Sequence, residues 1–110
     1  MENIKLIAID IGGTLITDSN AITATNLKVL DDVRKKGIKI ALITARMYSS
    51  TKYISNLINA SYGVFGNGAN IMDLENMKSL YSSFIQEKTL KDLICFGKEE
   101  RLYIHLNQLF

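Results

Sequence analysis

Residues Ile7-Ala8-Ile9-Asp10-Ile11-Gly12-Gly13-Thr14-Leu15-Ile16 decide how the rest of the chain is read. Residues 5–11 form a nearly continuous apolar run with β-branched side chains, the pattern of a strand covered on both faces. Two glycines break the run just after an aspartate, so the strand ends in a tight turn with a carboxylate at its C-terminal end. Outward from there, Thr23 predicts the N-cap of a helix reaching Lys36. Leu27, Leu30 and Val33 share one face of it, and Gly37 is placed as its C′ residue. Residues 38–43 predict a second buried strand. A second helix is expected from near Ser49 or Ser50, with Tyr53, Ile54, Leu57 and Ile58 as its apolar side, and residues 62–65 form a short third strand closed by Gly66-Asn67-Gly68. Strands alternating with helices at this spacing imply right-handed crossovers and a parallel α/β sheet.

The texture changes near residue 70. Residues 70–72 and 79–84 flank a turn-like Asp73-Leu74-Glu75-Asn76 and read as a hairpin. Residues 88–96 predict a helix with Leu90, Leu93 and Ile94 on one face, and residues 101–106 alternate as another strand. Two units are therefore expected: an α/β core over residues 1–69, and a second module beginning at residue 70 and cut short at residue 110.

Bulk properties narrow the field. A chain of 110 residues with 47% hydrophobic residues suits one small soluble domain. A net charge of +2 gives no reason to expect nucleic acid or an anionic membrane as partner. The basic cluster Arg34-Lys35-Lys36 closes a helix, where cations complement the macrodipole. One cysteine, Cys95, excludes an intrachain disulfide and a cysteine metal cluster, which fits a cytoplasmic setting. The first apolar run is broken by Lys5 and Asp10, is too short to span a membrane, and lacks a signal peptide's layout.

In open α/β sheets, ligands bind beyond the carboxyl ends of the strands. Three loops meet that description: residues 10–14, 44–46 and 66–70. Asp10 reads as a nucleophile, a metal ligand or a turn cap. Gly12 and Gly13 either allow backbone amides close to a phosphate or simply make a tight turn. The Thr44 hydroxyl suits a phosphoryl oxygen or an N-cap. Arg46 suits an anion or the surface. Asn67 presents an amide to a ligand or tolerates a left-handed turn. His105 and the five tyrosines read as structural.

With these residues in place, the chain resembles the N-terminal part of a haloacid dehalogenase-superfamily phosphatase of the Cof-like subfamily, whose Rossmann-like core is three-layered and carries an α/β cap. The family opens with a hydrophobic residue and Asp-x-Asp-Gly-Thr-Leu, where this chain has Asp10-Ile11-Gly12-Gly13-Thr14-Leu15. A strand ending in Thr-Gly-Arg appears as Ile43-Thr44-Ala45-Arg46, and a later Asn-Gly-Ala as Asn67-Gly68-Ala69. The resemblance implies a small phosphorylated metabolite as substrate. It implies Asp10 as nucleophile and magnesium ligand, the Gly12 carbonyl as a second magnesium ligand, and Gly13, Thr44, Ala45, Arg46 and Asn67 around the phosphoryl group.

Two departures follow. Gly12 stands where the family has its acid/base carboxylate, whose loss commonly costs about 10²–10⁴ in rate. No residue matches the family's later lysine or its further acidic metal ligands. Little or no activity and weak magnesium binding are therefore expected. Strand 5–11 is expected to be an exposed edge that invites self-association. A non-catalytic phosphate-binding or assembly module is the alternative. Asp-x-Gly-Gly-Thr also resembles the phosphate loop of actin-like sugar kinases, in which the loop joins antiparallel strands; a helix over residues 23–36 would remove that reading.

Overall fold

A computed structural model describes residues 3–107; residues 108–110 of the expected second module lie outside it. The elements run β1 (Leu6–Asp10), α1 (Ala24–Lys35), β2 (Lys39–Ile43), α2 (Tyr48–Leu57), β3 (Tyr62–Phe65), β4 (Asn70–Asp73), β5 (Lys78–Ser82) and α3 (Glu87–Glu99). Local signals place α1 as read. The Thr23 hydroxyl accepts the Asn26 amide at 3.1 Å. At the other end Gly37 takes φ +80°, its amide reaches the Arg34 carbonyl, and the Ile38 amide reaches the Val33 carbonyl. This paired closure needs a left-handed residue, which glycine supplies without a Cβ penalty. The helix removes the sugar-kinase reading.

The strands form one five-stranded sheet in the order β1-β2-β3-β4-β5. β1, β2 and β3 are parallel, and β4 and β5 add antiparallel. The break expected at residue 70 is thus a reversal of strand direction inside one sheet: β4 hydrogen-bonds to β3 in the pairs Tyr62–Asp73, Gly63–Met72, Val64–Ile71 and Phe65–Asn70. The hairpin turn is set by Asp73, whose carboxylate accepts both the backbone and side-chain N–H of Asn76 (2.9 and 2.8 Å). Those bonds hold the Asp73 carboxyl below the ordinary carboxylate range. Glu75, bonded to Lys39 and Ser61, is lowered likewise and ties the turn to the start of β2 and β3.

Both crossover helices lie on the same face. Leu30 of α1 and Ile54 of α2, with Ile58 just beyond it, share a buried cluster with Ile40 and Leu42, and Ile9 and Leu27 pack against it. The register sets Ile7 beside Ile40 and Ile9 beside Leu42, so these side chains point to the covered face. The opposite face carries Leu6, Ala8, Ile43, Val64, Ile71 and Tyr81. Leu6 is 47% exposed, Ile43 42% and Tyr81 53%. No third layer covers them among the described residues. This overturns the expectation that β1 is covered on both faces, and even Ile7 and Ile9 are only half-buried, whereas the expected place of β1 at the sheet's edge holds.

Two further expectations change. The buried side of α2 is Tyr48, Thr51, Ile54 and Ser55, continued by Ile58, whereas Tyr53 is 70% exposed and Leu57 lies open. Small polar residues suffice at Thr51 and Ser55 because their hydroxyls donate to helix carbonyls of Tyr48 and Lys52. Residues 101–106 form no strand. After α3 the chain turns at Arg101 (φ +54°) and runs back along the helix, with Ile104 seated on Gly97. Leu102, Ile104 and Leu106 line a shallow depression with Ile94 and Gly97 of α3, and among the described residues no strand pairs with them. His105 lies in this segment, away from the three loops.

Gly63 has a steric duty at the sheet centre. A Cβ there would collide with the ring of Phe65, which lies over it on the same face and packs 5.3 Å from the Tyr48 ring. Gly63→Ala is expected to destabilise the chain by about 1–3 kcal/mol, as overpacking of a filled core does. Urea unfolding of the two proteins at equal concentration measures the difference.

Candidate functional site

The parallel register brings the three loops to one end of the sheet. Asp10 pairs with Ile43, and Ile43 with Val64, so residues 11, 44 and 65 lie side by side at the C-terminal ends of the three strands. Each loop then takes a defined form. Gly12 (φ −70°, ψ 122°) and Gly13 (φ +70°, ψ 0°) occupy the two central positions of a type II turn over residues 11–14. That geometry requires a left-handed residue at position 13 and accepts any residue at position 12. Space is open as well: a Cβ on Gly12 meets nothing within 4 Å. Ile11, Leu15 and Ile16 are buried on either side, and the Ile16 amide reaches the Ile11 carbonyl at 3.2 Å. Apolar anchors thus hold the turn while its glycines face solvent.

The second loop is tied to the third. The Thr44 amide donates to the Val64 carbonyl (2.9 Å), the Asn67 amide to the Thr44 carbonyl (3.3 Å), and the Gly66 amide to the Arg46 carbonyl (3.0 Å). Thr44 is buried, and its Oγ1 accepts the Arg46 backbone N–H at 3.0 Å. The hydroxyl's own proton is left to donate elsewhere. Asn67 sits at φ +56°, the left-handed conformation asparagine tolerates, and its exposed carboxamide has no hydrogen-bond partner among the described residues. Ala45 is exposed between them and offers backbone only.

Arg46 shows a contact that motif reading did not contain. Its Nη2 donates to the Asn20 carboxamide oxygen at 3.4 Å. Asn20 (φ +58°) closes a tight turn over residues 17–21, held by the Thr17 amide on the Ala21 carbonyl and the Asn20 amide on the Thr17 carbonyl, both 2.9 Å. The signal for that turn was Asp18-Ser19-Asn20, three turn-forming residues in a row. α2 begins just past Arg46, and its first turn has no side-chain cap. The positive end of its dipole therefore belongs to the same loop cluster.

The parallel register thus puts Asp10, Gly12, Gly13, Thr44, Ala45, Arg46 and Asn67 in loops at one end of the sheet, and Asn20 meets Arg46 there. A polar depression of about 380 Å³ lies elsewhere, over the C-terminal end of α2 and the hairpin turn, lined by Arg34, Asn56, Asn59 and Glu75; its residues include none of the three loops. Among the described residues no group of three or more His, Cys, Asp or Glu side chains is gathered to hold a metal. Asp10 and the Gly12 carbonyl are two oxygen donors, too few for the octahedral shell magnesium demands without several waters or outside ligands.

The haloacid dehalogenase-like hydrolase family matches residues 7–109, and the chain belongs to that family. It is 32% identical over 108 residues to a protein of Buchnera aphidicola, covering 93% of this chain and 40% of that one. It is 32% identical over 89 residues to the 5-amino-6-(5-phospho-D-ribitylamino)uracil phosphatase YcsE of Bacillus subtilis, covering 76% and 36%. Among solved structures, a haloacid dehalogenase-like hydrolase of Bacteroides thetaiotaomicron superposes with a TM-score of 0.85 at 20% identity, over 90% of this chain and 39% of that one. The chain spans about two fifths of the length of the relatives it matches.

The Thr44–Arg46 bond yields a direct check. Thr44→Val is expected to strand the Arg46 N–H and cost about 1–3 kcal/mol, while Thr44→Ser keeps the bond and most of the stability. Thermal unfolding of both variants distinguishes loss of the hydroxyl from loss of the methyl group.

Proposed function

We propose that these residues form the nucleophile-bearing part of a Cof-like, capped phosphatase site that receives the phosphoryl group of a small phosphorylated metabolite, with hydrolysis weak or absent. The observation that supports the reading is the end of the sheet, where the loops carrying Asp10 with the type II glycine turn, Thr44 with Arg46, and Asn67 follow adjacent parallel strands. In this reading the Thr44 hydroxyl and the Asn67 amide donate to phosphoryl oxygens. Arg46 supplies the one full positive charge, and Gly13 lets the backbone approach. Asp10 is placed as the attacking carboxylate. Gly12 has no side chain to protonate a leaving group, which supports weak turnover. Asp10 and the Gly12 carbonyl would hold a magnesium ion weakly, and a bound ion would offset part of the phosphoryl charge. In this reading the core spans residues 1–69 and the second module begins at residue 70, with the hairpin that continues the core's sheet. A cytoplasmic setting accompanies a small-metabolite substrate and a free, exposed Cys95.

The test is hydrolysis of p-nitrophenyl phosphate with magnesium by the chain beside Asp10→Asn. The expected result is turnover no higher than the control. Gly12→Asp, which the backbone and the open space at position 12 accommodate, is expected to fold normally. Turnover in the unaltered chain that Asp10→Asn abolishes and that Gly12→Asp does not raise would overturn the claim that position 12 weakens activity.

A second reading, assembly, is favoured by the open edge of β1 and the uncovered apolar face beside it. Edges of this kind pair with other strands, and the chain is expected to self-associate through residues 5–11. Sedimentation equilibrium over a wide concentration range checks this; a strict monomer at high concentration would exclude it.

A further inference from the structure

Asn70 opens β4 and is 1% exposed. Its Nδ2 lies 3.3 Å from the Ser79 Oγ, 3.3 Å from the Tyr81 carbonyl and 3.1 Å from the Ser82 Oγ, so two hydrogens serve three acceptors of β5. Its Oδ1 is the one buried side-chain polar atom without a partner among the described residues. A buried acceptor left unpaired is a cost that an aliphatic side chain of similar size would avoid. The asparagine is therefore accounted for by what its Nδ2 grips.

What it grips is an irregularity. β4 pairs with β5 as Asp73–Lys78 and Met72–Ser79, then as Ile71–Tyr81 and Asn70–Ser82, so Leu80 is an extra residue, a β-bulge. The bulge puts Ser79 and Ser82 on one face, their hydroxyls 2.8 Å apart, and leaves Leu80 and Tyr81 more than half exposed. Just past it the Ser83 amide reaches the Ala69 carbonyl at 2.8 Å. That bond ties the exit of β5 to the third loop before the chain runs on to α3.

A straight β5 is the competing arrangement. The turn below is pinned by Asp73 on Asn76 and by Glu75 on Ser61, so the register can slip only at Leu80. Without the bulge, Leu80 would pair with Ile71, Tyr81 with Asn70 and Ser82 with Ala69. A one-residue slip turns every side chain beyond it to the other face. Tyr81 would then lie on the face where Phe65 and Met72 are fully buried, and its ring would leave water. Apolar burial thus favours the straight strand. The carboxamide opposes it, because its Nδ2 would lose the Tyr81 carbonyl and the Ser82 hydroxyl and face an aromatic ring instead.

We infer that Asn70 sets the register of β5: its buried carboxamide holds Leu80 out as a bulge, and so fixes where the chain leaves the sheet for α3 and which face the outgoing residues take. This is a positioning role, and it does not depend on what the loops bind.

The experiment compares the isotope-labelled unaltered chain with Asn70→Leu, and with Asn70→Leu from which Leu80 is also deleted. Cross-strand nuclear Overhauser contacts and amide exchange are the readouts. Asn70→Leu is expected to replace the Ile71–Tyr81 contacts by Ile71–Leu80, and to move slow exchange from the Ser83 amide to the Ser82 amide. Deleting Leu80 removes the residue that needs holding. The double variant is therefore expected to regain the Ile71–Tyr81 contacts and slow exchange at Ser83, a rescue that a general loss of stability would not show. Both registers together in Asn70→Leu support the inference, since the bulged one has lost its exclusive hold. Asn70→Leu that keeps only the Ile71–Tyr81 contacts overturns it, and so does a slipped register that the deletion leaves slipped. If Asn70→Leu does not fold, the double variant decides. A folded double variant with the Ile71–Tyr81 contacts traces the defect to the bulge. One that also fails to fold, or folds without those contacts, shows that Asn70 serves something other than register and overturns the inference.

Discussion

The parallel register of β1, β2 and β3 is the constraint on which the other features depend. Because Asp10 lies beside Ile43 and Ile43 beside Val64, three separate loops leave the sheet at one level. The two crossovers that connect these strands are both helical and both fall on one face. That choice buries Ile40, Leu42 and Leu30 together, and it leaves Leu6, Ile43 and Tyr81 against solvent. Site and bare face are thus products of the same arrangement. A sheet wound in one direction gathers its loops and covers a single side.

Within the loops, packing and polarity divide the work. Buried Ile11, Leu15 and Ile16 fix the first turn from below, and backbone bonds fix the second and third against each other. What remains free is a small set of donors and one carboxylate. Loops held in this way lose little further freedom when a ligand of any kind is bound.

Much of the fold was legible because its signals are local. Thr23 as N-cap, Gly37 as the left-handed closure, and the glycine pair after Asp10 each act within a few residues, and each holds in the structure. The three motif loops were legible for the same reason. What was not legible depends on neighbours distant in sequence. Continuous apolarity in residues 5–11 cannot reveal that one face of β1 is left uncovered among the described residues. The alternation at Leu102, Ile104 and Leu106 reads as a strand until α3 is seen beside it. Tyr53 was assigned inward by its apolar ring, but buried Thr51 and Ser55 show that self-satisfied hydroxyls can face the core in its place. The Arg46–Asn20 contact joins residues far apart in the chain, and no spacing rule announces it.

The turn over residues 11–14 separates two things that active sites usually bind together. Its backbone demands glycine at position 13 and is indifferent at position 12. An aspartate at position 12 is therefore a change of side chain that leaves the backbone of the turn as it is, whereas any side chain at position 13 would strain it.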